Sequence, residues 1–174
     1  MMRSTIIRPL LMTLALSTTM WCGNLSSEER ALNVESFISA HQGSEWQGPA
    51  ELWIDPLGNE ASFSDASLSV RSDALSYTWV YKGRSQQGQI RFTEDGMHWR
   101  DSWHQPDSVQ IEPIDDALGM MTARYAYPAG SGPDWHWRIK LSQRPDSTLV
   151  LAMTNIAPWG EEARAVRMIL SRVD

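Results

Sequence analysis

From Gly43 onward, large apolar side chains recur at every second position, in short runs broken by turn-forming residues. Successive side chains of an extended strand point to opposite faces, so this period calls for strands rather than helices. Leu52 and Ile54 precede Asp55-Pro56-Leu57-Gly58-Asn59, and Leu68 and Val70 precede Ser72-Asp73. Tyr77, Trp79 and Tyr81 precede Lys82-Gly83, and Ile90 and Phe92 precede Glu94-Asp95-Gly96. Met97, Trp99, Asp101 and Trp103 share one parity before Gln105-Pro106-Asp107, and Val109 and Ile111 lead to Pro113. Met121 to Tyr127 runs to Pro128-Ala129-Gly130, Trp135 to Leu141 to Arg144-Pro145-Asp146, and Leu149 to Met153 to Pro158-Trp159-Gly160. Val166, Met168 and Leu170 close the series. Residues 161–170 also contain the helix formers Glu161, Glu162, Ala163 and Ala165, but the alternation favours a strand.

The pattern predicts about ten strands. Short turns make consecutive strands antiparallel neighbours, and a sheet of that size removes its edges by closing. The expected fold is therefore all-β: one closed antiparallel barrel over 44–174. A β-sandwich is the competing arrangement. It needs longer sheet-crossing connections, for which only 128–133 is rich enough in loop residues.

Before Gly43 the period is helical. Ser26 and Glu29 form a capping box, and Ala31, Val34, Phe37 and Ile38 recur at helical spacing, so 23–43 should hold one helix, over about 27–42, against a barrel mouth. Residues 1–22 differ again: Arg3 and Arg8 precede the apolar run from Pro9 to Cys22, with no acidic residue. That order fits a secretory signal, and the run is short of the roughly 20 apolar residues of a membrane span. Export is the expectation, with Cys22 where a lipid-anchor cysteine would stand. A single cysteine allows no internal disulfide and no cysteine-built zinc site. A formal charge of -6 gives no electrostatic reason to bind nucleic acid.

The barrel would gather the aromatic residues. Tyr77, Trp79 and Tyr81 share a face on one strand, Trp99 and Trp103 on another, and Trp135 and Trp137 on a third. The chain has 9 Trp, more large rings than a small barrel needs for packing. The set Tyr77, Trp79, Trp99, Asp101, Trp103, Trp135 and Trp137 is thus expected to face the interior together and to contact a ligand. Asp101, between two tryptophans, must be paired or protonated there. Candidate partners are Arg91, Arg100, Arg124 and Arg138, or an aromatic N–H or O–H. His98, His104 and His136 fall on the opposite parity and should point outward. No histidine pair has the spacing of a metal site, and no nucleophile-elbow sequence occurs, so neither metal nor cofactor is expected.

Gly43-Ser44-Glu45-Trp46-Gln47-Gly48 resembles the Gly-x-Trp-x-Gly opening of calycin-type barrels, with one extra residue before Trp46. Glu51-Leu52-Trp53-Ile54-Asp55-Pro56-Leu57-Gly58-Asn59 and Trp99-Arg100-Asp101-Ser102-Trp103-His104 are similar to stretches of a bacterial family of lipocalin-like domains of unknown function. The resemblance covers about 43–174. It implies a barrel with an interior cavity and no agreed reaction. Haem-binding relatives use a histidine near the carboxyl end, and no histidine follows His136 here.

Three readings stand at this level. One is a binding module taking a small hydrophobic or aromatic ligand. Another is an enzyme using Asp101 as a buried acid or base. The last is a fully packed structural barrel.

Overall fold

Alternating apolar residues make strands that bury one face, and a closed meander buries all of those faces in one interior. A computed structural model describes residues 27–55, 59–114, 116 and 119–174, with side chains from Val34 onward. The signal-like segment 1–22, the Ser26 cap and the tip of the 55–59 turn lie outside the described residues. After helix α1 (Ser27–His41) come β1 (Glu45–Trp53), β2 (Ala61–Val70), β3 (Ala74–Tyr81), β4 (Arg84–Thr93) and β5 (Gly96–Asp101). They are followed by β6 (Gln105–Pro113), β7 (Met121–Tyr127), β8 (Trp135–Gln143), β9 (Leu149–Ile156) and β10 (Glu162–Val173). Each strand pairs with the next in antiparallel fashion, and β1 pairs with β10, so the sheet is a closed barrel of ten strands. The expected barrel and its single helix are both present. The ambiguous segment 161–170 is strand: the register shifts between Arg164 and Val166, which turns both Ala165 and Val166 inward.

The two barrel mouths differ. At one, α1 buries Val34, Phe37 and Ile38 in the common core. Phe37 lies 6.2 Å from the Trp46 ring at the start of β1. The helix ends at His41 and the chain turns at Gly43, whose φ of 82° suits a residue without Cβ. Ser44 then donates to the His41 carbonyl and accepts from the Trp46 indole. The other mouth carries the turns after β1, β3, β5, β7 and β9 and has no helix among the described residues.

The interior is tightly filled. Leu68, Leu75, Ile90, Ile139, Leu141, Leu149 and Leu151 are all buried. One seam is weak: β6 and β7 pair only at Glu112–Arg124 and Pro113–Ala123, and proline has no N–H to give the ladder. On the opposite side, Arg167 of β10 clasps Glu51 of β1 through both carboxylate oxygens.

Candidate functional site

Strand β5 delivers Trp99 and Asp101 to the interior and then ends. An aspartate followed by a polar residue favours a turn, because its carboxylate can accept backbone N–H groups further along. Asp101 Oδ1 accepts the N–H groups of Trp103 at 2.9 Å and His104 at 3.1 Å. This turn brings the His104 ring back, with Nδ1 3.0 Å from the same oxygen. The other oxygen, Oδ2, accepts the Tyr77 hydroxyl at 2.9 Å. Tyr77 in turn accepts the Trp99 indole N–H at 2.9 Å. A continuous relay thus runs from Trp99 through Tyr77 and Asp101 to His104, inside the barrel. Its layout depends on Gly88, which pairs with Asp101 on the neighbouring strand: a Cβ there would stand 2.0 Å from the Tyr77 ring.

Burial alone would push the Asp101 carboxyl up. The hydrogen bond of His104 and its charge when the ring is protonated, the Trp103 N–H and the Tyr77 hydroxyl outweigh it and hold the group below the usual carboxylate range. Asp101 is therefore a carboxylate, fully buried and enclosed by donors. Burial, and then the charge of Asp101, push the Tyr77 hydroxyl well above its ordinary value, so it stays a donor.

Around the relay the rings interlock. Trp99 stacks on Trp137 at 5.9 Å, and the His104 ring lies 4.7 Å from Trp137 and 5.7 Å from Trp79. Trp103 covers Tyr81 and Trp79 at 4.8 and 6.2 Å. The Trp79 and Trp137 indole nitrogens are buried and have no hydrogen-bond partner among the described residues. Half-buried Tyr125 and Tyr127 donate nearby to Gln105 and Asn155. Large apolar residues left exposed at this mouth include Trp103 and Trp159, at 48% and 70%.

The structure brings Tyr77, Trp79, Trp99, Asp101 and Trp137 together in the interior. It does not place Trp103 there. The strand stops at Asp101, so parity no longer governs Trp103, which sits half exposed in the turn as a cover. Trp135 is also not part of the cluster. It is half-buried, and its ring meets Trp159 of the β9–β10 turn at 5.6 Å. His104, expected outside, is inside for the same reason as Trp103 is not. The aromatic hydroxyl is the partner of Asp101, together with His104. Arg91, Arg124 and Arg138 pair instead with Asp73, Glu112 and Glu162, and Arg100 is exposed. His104 could have been found from Asp101-Ser102-Trp103-His104 read as an aspartate-started turn.

Cavities lie elsewhere among the described residues. One of about 580 Å³ sits between α1 and the β4–β5 turn, lined by Val34, Phe92, Met97, Ile111 and Met121. Others of about 350 and 210 Å³ lie on the outer face of the sheet, among Ser69, Ser76 and Gln89 and beside His98. Among the described residues no group of three or more His, Cys, Asp or Glu could hold a metal ion, and no helix is long and apolar enough to cross a membrane. No family model matches the chain, and neither a curated protein nor a solved structure matches it.

Proposed function

We propose that this chain is a lipocalin-like binding barrel that takes a small hydrophobic or aromatic molecule at the mouth opposite α1. The observation that carries this reading is the contrast between the mouths. One is covered by the helix apart from the cavity beside the β4–β5 turn; the other exposes aromatic rings that lead inward from Trp103 to Trp79, His104 and Trp137. Stacked rings with few, placed polar groups are the lining expected of a small-molecule site. Trp103, in a turn and half in water, is the ring that must swing aside for entry.

Catalysis by Asp101 itself is the weaker reading, because its oxygens already accept from Tyr77, His104 and two backbone N–H groups. Any acid or base work would fall to His104, with Asp101 as its positioning residue. Residues 1–22 add a proposal of export, tested by sequencing the amino terminus of the mature protein.

Native mass spectrometry of the protein purified from its own host tests the binding reading. The expected result is a retained small molecule, one per chain, that Trp103→Arg abolishes. A bare mass, together with no binding of aromatic probes, would leave a packed structural barrel.

A further inference from the structure

The proposed site can be read for the chemistry of its ligand, an inference that rests on the binding reading above. The indole N–H groups of Trp79 and Trp137 are donors with no acceptor among the described residues, on residues only 1% and 8% exposed. A buried donor left unpaired is costly, so each of the two calls for an oxygen acceptor. Both indoles flank the same ring, His104, whose Nδ1 faces Asp101. With its hydrogen on Nδ1, a neutral imidazole leaves Nε2 as an acceptor. With the imidazole neutral, the charge at the relay is the buried Asp101 carboxylate, and among the described residues neither an arginine nor a lysine pairs with it. A second anion brought here would face that carboxylate at low dielectric.

We propose that the Trp79 and Trp137 indoles hold an uncharged oxygen, a hydroxyl or carbonyl, on an otherwise apolar or aromatic ligand, and that the site discriminates against carboxylates. A hydroxyl fits best: it accepts from an indole and donates to His104.

The test is calorimetric titration of the full chain at neutral pH with naphthalene, naphthol and naphthoate, which share one ring system. Naphthol is expected to bind about tenfold tighter than naphthalene, the worth of one net hydrogen bond, and naphthoate more weakly than naphthol. Trp79→Phe and Trp137→Phe keep an aromatic ring and remove the N–H. In each, the ratio of naphthol to naphthalene affinity should shrink, whatever happens to naphthalene affinity itself. Equal binding of naphthol and naphthalene would mean that water, not a ligand, satisfies the indoles, and would overturn the inference while leaving the binding reading intact. So would naphthoate binding as tightly as naphthol, or an advantage that survives both variants. Failure of all three probes to bind would overturn the binding reading and this inference with it.

Discussion

At the residue scale, Asp101 is the point on which the interior turns. Its carboxylate is the shared acceptor for Tyr77, His104 and two backbone N–H groups. Truncation leaves several donors buried without a partner, so Asp101→Ala is expected to cost about 3–5 kcal/mol, read from urea midpoints. A change below about 0.5 kcal/mol, typical of an exposed surface site, would contradict the buried relay. The sign of the pH effect follows from the same contacts. The folded carboxyl binds its proton less readily than the unfolded one. The stabilisation is therefore complete above the unfolded value of about 3.9 and is lost as pH falls through the lower, folded value. Urea midpoints taken from about pH 6 to about pH 3 should fall more steeply for the wild type than for Asp101→Asn.

At the element scale, strands carry more of the site than their parity discloses. Period-2 alternation placed Tyr77, Trp79, Trp99, Asp101 and Trp137 on the inner face, because each lies well inside or at the last position of a strand. It failed for Trp103 and His104 because the alternation of a strand carries no information once the backbone turns, and here Asp101 itself makes that turn. The bulge in β10 was equally silent, since one inserted residue leaves the apolar pattern nearly unchanged. Neighbouring strands also constrain one another where a side chain crosses between them. Gly88 of β4 gives the Tyr77 ring its place, so Gly88→Ala should destabilise the barrel by about 1–3 kcal/mol, measured by thermal or urea unfolding. An unchanged midpoint would show that the ring can move aside freely.

At the scale of the whole molecule, the barrel was legible because ten alternating runs separated mostly by short turns leave little besides a closed meander. The filling of the barrel was not legible, since counting rings does not say whether they enclose space or occupy it. The strength of individual seams was equally hidden. The β6–β7 joint, with two paired positions, should show in hydrogen exchange: amides of 107–109 are expected to exchange faster than those of β8, which is paired along both edges. Equal protection would make the seam as firm as the rest. The clasp between Glu51 and Arg167 bears on time rather than on shape. All other strand pairings join consecutive strands and can form as local hairpins, whereas this one spans 116 residues and must await the meeting of both ends of the sheet. An interaction made after the rate-limiting step restrains only the reverse reaction. In a chevron plot, Arg167→Met should raise the unfolding limb by about fivefold, as expected from losing about 1 kcal/mol, and leave the refolding limb where it was. A lowered refolding limb would instead place ring closure inside the folding nucleus. With the clasp made late, the lifetime of the folded barrel is set at β1–β10, and its speed of assembly by the hairpins between them.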